Sequence, residues 1–261
     1  MRKHVFGPIL SRRLGTSLGV DLVMPKTCPL DCIYCEARAT TLLTMERKEY
    51  VPIDEVLAEL DETLAQIPPP DYVTFSGAGE PTLNSGIGRV VDHLVRHHPS
   101  CRICLLTNGL LLGDPQVQKE VGEVDLAIPS LDASSEEEYR IINRPVAGET
   151  LEKLVAGLAD FRRHFRRRMA LEIFLVPGVN DSDASLARFV RLVGSIAPDA
   201  VQLNSLDRPG VLETLRPAPP ETLRRFADAL APVTEVEIVR PLKKEAPARN
   251  GGADDPAGRA R

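Results

Sequence analysis

The stretch that decides the fold is Cys28–Cys35, which reads CPLDCIYC. It places three of the chain's five cysteines in a C-x3-C-x2-C pattern within eight residues. An odd cysteine total with such clustering is a poor disulfide framework and favours thiolate ligands. Spacings of two and three residues let one loop bring three sulfurs to a single metal centre.

The identity of that centre is constrained by the ligands that are missing. Structural zinc sites usually have a fourth protein ligand and often pair two C-x-x-C knuckles, whereas the nearest histidine here is His4, well upstream. A four-iron cluster held by three cysteines keeps one iron open. An open iron suits a catalytic cluster that binds a substrate or cofactor directly. A non-catalytic iron–sulfur or zinc module is the alternative.

Outward from this segment, short apolar runs alternate with helical patterns, which is typical of βαβ units and a parallel sheet. The predicted strands are Leu18–Val23, Tyr72–Phe75, Arg102–Thr107, Val124–Pro129, Met169–Val176, Ala200–Asn204 and Val236–Val239. The predicted helices are Ile53–Ile67, Gly86–His97, Pro115–Val121, Leu151–Phe165, Asp183–Ile196 and Pro220–Leu230. Six units with a possible seventh strand are too few for a closed eight-unit barrel. We therefore expect an α/β fold, an open, partial TIM-like (βα)6 barrel.

Polar segments follow five of the predicted strands. They read SGAGEPT, TNG, PSLD, PGVND and NSLDRPG. The carboxyl ends of parallel strands share one edge of the sheet, so these segments should meet there, beside the cysteine loop. The alternative is that Gly, Asn, Asp and Pro merely terminate the strands.

Two motifs resemble those of a known family. CPLDCIYC matches the CxxxCxφC motif of the radical S-adenosylmethionine (SAM) superfamily, with Tyr34 at the aromatic position. AGEP at Ala78–Pro81 resembles that family's GGEP motif, with Ala replacing the first Gly. The resemblance covers roughly Gly15–Asn204. Flanking segments are similar to a subgroup related to the wyosine-type tRNA-modifying enzymes, which makes tRNA-base modification a finer alternative; fold and superfamily do not give the substrate.

The resemblance implies a partial barrel, a [4Fe–4S] cluster and SAM. It implies that Cys28, Cys32 and Cys35 hold the cluster and that SAM chelates the fourth iron. Further implied SAM contacts are Tyr34, Ala78, Gly79, Glu80, Thr107, Asn108, Ser130 and Asp132. Reductive cleavage of SAM would give methionine and a 5′-deoxyadenosyl radical that abstracts hydrogen, with an electron donor such as flavodoxin or ferredoxin. Glu80 has the alternative of a plain surface carboxylate.

Two arginines are candidates for binding a substrate anion, because guanidinium groups match phosphates and carboxylates. Arg13 precedes the first predicted strand and Arg144 follows the fourth, and both are expected to face the barrel mouth. The alternative is that they are surface or salt-bridged residues. The basic run Arg162–Arg168, RRHFRRR, could contact an RNA backbone or end a helix whose dipole it complements.

The remaining cysteines and the histidines are not expected to bind a metal. Cys101 and Cys104 lie three apart in a strand, face opposite sides and should be buried. His93, His97 and His98 are interpreted as surface residues for want of other ligands nearby.

The composition limits the class of protein to which the chain can belong. The 261 residues carry a formal net charge of −5 and no long apolar run, which argues against a polycation or a membrane span. No secretory signal is recognised, so a cytoplasmic location is expected. Residues 1–242 are expected to form a single domain with a core at about 15–206, and residues 243–261 to be a disordered tail.

Overall fold

An open, eight-stranded sheet forms the centre of the structure, a computed structural model that describes residues 3–239. The strands are β1 Val5–Ser11, β2 Gly15–Val20, β3 Thr27–Cys28, β4 Leu42–Leu43, β5 Tyr72–Phe75, β6 Arg102–Thr107, β7 Leu126–Pro129, β8 Arg168–Phe174, β9 Ala200–Asn204 and β10 Glu235–Ile238. The sheet order is β1-β2-β5-β6-β7-β8-β9-β10. All pairs in it are parallel except the β1–β2 hairpin. The short strands β3 and β4 pair only with each other.

Helices connect the parallel strands. They are α1 Ile53–Gln66, α2 Ile87–His97, α3 Pro115–Glu120, α4 Glu136–Ile142, α5 Leu151–His164, α6 Asp183–Ile196 and α7 Pro220–Leu230. Several helices begin where a short polar side chain accepts a hydrogen bond from a backbone N–H of the first turn: Thr150 caps α5 and Ser182 caps α6. The prolines at 68–70 follow α1 and prevent its continuation.

The predicted open α/β barrel is confirmed. Within the described residues the sheet does not close, because β1 and β10 are its two edges. Four of these elements were not predicted, namely β1, the short strands β3 and β4, and α4. The strand β1 precedes the first expected strand and pairs antiparallel with it, and α4 follows the PSLD segment. The first predicted strand also begins earlier, at Gly15, and ends at Val20.

Alternate strand residues pack into two separate apolar clusters, one on each face of the sheet. Ile103 and Leu105 join the large cluster between sheet and helices, while Cys104 joins a smaller one with Leu14 and Leu126. Cys101 and Cys104 are both buried and belong to different clusters, as their spacing predicts.

Between residues 3 and 239 no helix has both the length and the apolar character needed to cross a bilayer. The prediction of a disordered tail at 243–261 concerns residues outside the described range.

Candidate active site

The cysteine loop follows β2 and is anchored by backbone hydrogen bonds to the loop after β5 and to the end of α4. Lys26 N–H donates to Ala78 O at 2.7 Å, and Glu80 N–H donates to Thr27 O at 3.0 Å. On its other side, Ile33 N–H donates to Ile142 O at 2.9 Å. The three cysteines are thereby held between the loop after β5 and the end of α4.

Gly79 allows the loop after β5 to approach the backbone of the cysteine loop closely. A Cβ placed on Gly79 would lie 2.2 Å from Thr27 O, far inside any contact that side chains make. A glycine is therefore required where the AGEP segment meets the cysteine loop.

Each cysteine sulfur has one side-chain nitrogen donor. The distances are 3.5 Å from Asn108 Nδ2 to Cys28 Sγ, 3.4 Å from Asn143 Nδ2 to Cys32 Sγ, and 3.2 Å from Lys26 Nζ to Cys35 Sγ. The sequence interpretation assigned no role to Lys26 or Asn143. Lys26 lies two residues before Cys28, and Asn143 lies in the INRP segment, so the only sequence signal was proximity to motifs already singled out.

Burial opposes charge on two of these sulfurs when no cation is near. Desolvation, with Glu80 nearby, raises the pKa of Cys28 to about 12, and burial raises the pKa of Cys32 well above its usual range. A metal cation bound to these sulfurs would offset that cost.

The spacing of the sulfurs can be compared with that of the ligands on one zinc ion. Zn–S bonds of about 2.3 Å put tetrahedral sulfur ligands roughly 3.8 Å apart. The three sulfurs, which lie within residues 3–239, are not all within 4.8 Å of one another. At least one pair of these sulfurs is therefore farther apart than two ligands of one tetrahedral zinc ion.

The buried side chain of Glu80 joins its own loop, after β5, to the loop after β6. Its Oε1 accepts from Thr82 Oγ1 at 2.6 Å and Thr107 Oγ1 at 2.7 Å, and its Oε2 accepts from Asn108 N at 2.7 Å. Only 2% of Glu80 is exposed, so the alternative of a surface carboxylate is wrong. Burial raises the pKa of Glu80, and the hydrogen bonds oppose that rise.

Asp132 holds together a second group of side chains in the site. Its Oδ2 accepts from Tyr34 OH at 2.6 Å and from Asn143 Nδ2 at 2.9 Å, and its Oδ1 accepts from Phe174 N at 3.1 Å. The Tyr34 ring stacks on Phe174 with centroids 4.0 Å apart. Burial raises the pKa of the Asp132 carboxyl. Tyr34 is thus held at both its ring and its hydroxyl.

The other predicted SAM contacts lie along the same rim. Ala78 N–H donates to Asp21 Oδ2 at 2.9 Å, and Ser130 N–H donates to Thr107 O at 3.0 Å at the end of β7. The structure therefore brings the loops after β2, β5, β6 and β7 to one edge of the sheet.

The two predicted anion-binding arginines already have carboxylate neighbours. Arg13 is largely buried and pairs with Glu172 inside the barrel, with Gln202 Oε1 3.3 Å away. Arg144 is nearly half exposed, and its Nη1 lies 3.8 Å from Asp31 Oδ2. Of the two, Arg144 lies at the rim beside the cysteine loop, whereas Arg13 reaches the interior from the hairpin turn before β2.

The segment of residues 205–218, after β9, lies against the cysteine loop. Leu212 N–H donates to Ile33 O at 3.1 Å, and Arg208 pairs with Glu36 at 3.3 Å. A Cβ on Gly210 would lie 2.5 Å from Tyr34 O. This contact was not predicted, because nothing local in the sequence links the two segments.

Comparison with known proteins agrees with this geometry. Residues 22–190 match the family described as the Radical SAM superfamily. The chain belongs to the radical SAM superfamily. That superfamily uses a [4Fe–4S] cluster and SAM.

Two curated relatives show how the chain compares in sequence. It is 37% identical over 206 residues to a protein of Brachyspira hyodysenteriae named GTPase Obg, a match covering 79% of this chain and 30% of that protein. It is 32% identical over 212 residues to a UPF0026 protein of Synechocystis sp., covering 80% of this chain and 77% of that protein.

Solved structures show the shared radical SAM fold. A radical SAM methyltransferase from Sphaerobacter thermophilus superposes with a TM-score of 0.66 at 20% identity, over 85% of this chain and 65% of that one. TYW1 with a lysine-pyruvate adduct bound superposes with a TM-score of 0.60 at 18% identity, over 84% of this chain and 74% of that one. At these identities the likeness concerns the fold.

Gly79→Ala tests the contact between the two loops of this radical SAM site. We expect the free energy of unfolding to fall by about 1–3 kcal/mol, because the new methyl group overlaps Thr27 O and displaces backbone. Chemical denaturation measures this. Gly194→Ala, within α6, is the matched control, because its new Cβ has only an ordinary contact, at 3.7 Å from Val233 Cγ1. Equal stability of Gly79→Ala and wild type would contradict the close approach.

Proposed function

We propose that Cys28, Cys32 and Cys35 hold a [4Fe–4S] cluster whose open iron binds SAM, and that the enzyme abstracts hydrogen from a substrate not yet identified. The observation that carries this proposal is the set of three sulfurs on one loop, each with its own nitrogen donor. When bound, the cluster and SAM supply one-electron cleavage of the sulfonium to methionine and a 5′-deoxyadenosyl radical.

The nitrogen donors suit a cluster whose sulfurs carry negative charge. Asn108 and Asn143 offer neutral N–H groups to Cys28 and Cys32, and Lys26 offers an ammonium to Cys35. Hydrogen bonds to ligand sulfurs stabilise the more negative, reduced state of a cluster and raise its reduction potential.

Acceptors for the cofactor are also present on this rim. Asn143 Oδ1 is buried and has no hydrogen-bond partner among the described residues. An unsatisfied buried acceptor costs stability, so a donor from a bound ligand would compensate it. We assign Asn143 as a SAM-facing residue beside Tyr34, Ala78, Gly79, Glu80, Thr107, Asn108, Ser130 and Asp132. Glu80 and Asp132 act by positioning, because their oxygens are engaged by neighbouring donors.

The substrate class is constrained by charge. Arg144 is the better candidate for an anion contact, because it lies at the rim and its partner is 3.8 Å away. The basic run gives no support to RNA as the substrate: Arg162, Arg163, Arg167 and Arg168 each pair with a carboxylate. Modification of a tRNA base is thus an alternative supported by resemblance alone.

The electron donor would be a low-potential protein such as flavodoxin or ferredoxin.

Anaerobic reconstitution with iron and sulfide, followed by dithionite and SAM, tests the enzyme. We expect about four irons per chain and formation of 5′-deoxyadenosine, measured by chromatography. A cluster that forms but never yields 5′-deoxyadenosine would instead support a non-catalytic iron–sulfur module. Failure to bind iron would reject both.

Cys32→Ser tests the ligand assignment. We expect iron content to fall and 5′-deoxyadenosine to drop to background, because a hydroxyl is a poor replacement for a thiolate on iron. Cys101→Ser is the matched control, since Cys101 is buried and lies just before β6, at the end of the strand opposite the rim that carries the site. Equal loss in the control, or normal iron binding in Cys32→Ser, would contradict the assignment.

Lys26→Met tests the donor to Cys35. Removing the ammonium should lower the cluster's reduction potential by roughly 40 mV, which corresponds to about 1 kcal/mol for one electron. A redox titration followed by electron paramagnetic resonance, without SAM, measures it. Lys48→Met is the control, because Lys48 pairs with Glu46 at the surface. An unchanged potential at normal iron content would exclude a tuning role for Lys26.

A further inference from the structure

A second group of metal-ligating side chains lies between α1 and α2. Sequence alone left His93 and His98 without a further ligand, and the fold supplies Asp61 from α1. This trio contains none of the residues assigned to the cysteine loop or to SAM.

The two imidazoles converge on one carboxylate oxygen. His93 Nε2 lies 2.8 Å and His98 Nε2 lies 2.7 Å from Asp61 Oδ1. All three ligand atoms lie within 4.8 Å of one another, and in residues 3–239 no other trio of Cys, His, Asp or Glu satisfies this. The two histidine side chains are about 20% exposed, while Asp61 is about half exposed. The group is therefore accessible from solvent on one side.

The donor set matches a borderline divalent cation. Two imidazole nitrogens and a carboxylate oxygen are ligands that Zn²⁺ takes, with bond lengths of about 2.0–2.2 Å. Tetrahedral ligands at such lengths lie roughly 3.3 Å apart, so the two hydrogen bonds need to lengthen by about 0.5 Å. Side chains at the surface can make that adjustment by small rotations.

We propose that Asp61, His93 and His98 form a second metal site, which binds one Zn²⁺ ion and ties α1 to the C-terminal end of α2. Asp61 lies near the middle of α1, His93 lies in α2, and His98 immediately follows α2. Three protein ligands leave the fourth position to water. The site is independent of the proposed radical chemistry.

Zinc binding to tag-free, cluster-loaded protein tests the site. Loading occupies the loop cysteines, and Cys101 and Cys104 are buried. We expect equilibrium dialysis against ZnCl2 to give one zinc per chain beyond any cluster-associated metal. Zinc-edge X-ray absorption should show nitrogen and oxygen neighbours without sulfur. Zinc binding in the micromolar range should weaken at least tenfold in Asp61→Asn and in His98→Gln.

The matched control is His97→Gln. The His97 ring packs on His93 with centroids 4.4 Å apart, but its Nδ1 bonds to His93 O and its nitrogens are outside the trio. This variant should bind zinc as wild type does. Absence of zinc at millimolar concentration, sulfur neighbours in the absorption spectrum, or equal affinity in Asp61→Asn and His98→Gln would overturn the proposal. If one of these variants fails to fold, as judged by circular dichroism, the other carries the test.

Iron content and 5′-deoxyadenosine formation by the same preparations separate the two proposals. Asp61→Asn should leave both at wild-type values while it loses zinc. A preparation that binds zinc but forms no 5′-deoxyadenosine would refute the radical reaction and leave the zinc site standing.

Discussion

The buried carboxylate of Glu80 is the interaction on which the candidate site depends. Its two oxygens accept from Thr82, Thr107 and Asn108, while its backbone N–H donates to Thr27 O in the cysteine loop. One residue thus fixes the relative positions of the loops after β2, β5 and β6. Because four of its contacts are hydrogen bonds in a buried setting, substitution would leave several donors unsatisfied together. The same network orients Asn108 toward Cys28.

Much of the fold could be predicted because its signals are local. The runs at Tyr72–Phe75 and Arg102–Thr107 have the length and apolar character of buried parallel strands, and the structure contains both with the predicted bounds. The rim segments followed from the same reasoning, since parallel strands end at one edge. The family resemblance likewise depended on short contiguous motifs, CPLDCIYC and AGEP.

What could not be predicted depends on tertiary approach. The side chain of Lys26 contacts Cys35, and the backbone at Lys26 has a positive φ of 62°. No residue pattern in the sequence predicts this conformation. Asn143 meets Cys32 across 111 residues of sequence. The strand β1 was not predicted. Its apolar residues Phe6, Ile9 and Leu10 are all exposed, so buried and exposed residues do not alternate regularly along it. Asp61 and His98 likewise meet only through the packing of α1 on α2.

The inner face of the sheet changes character along its strands. Near the start of the strands this face is apolar and filled, with Leu14 packed among Cys104, Leu126, Ala170 and Ala200. Toward the carboxyl ends it becomes polar, as Glu172, Gln202 and Asn204 replace them on the same face.

The apolar packing fills the inner face at the start of the strands. Residues 205–218 cover part of the rim at the carboxyl ends of the strands. A cavity of about 360 Å³ opens beside the β1–β2 hairpin, and Arg12, Arg13 and Arg208 contribute to its lining. Because β1 and β10 do not pair, the barrel is open along its side at this seam. Arg13 joins this cavity to the polar interior, because the same side chain lines the cavity and pairs with Glu172.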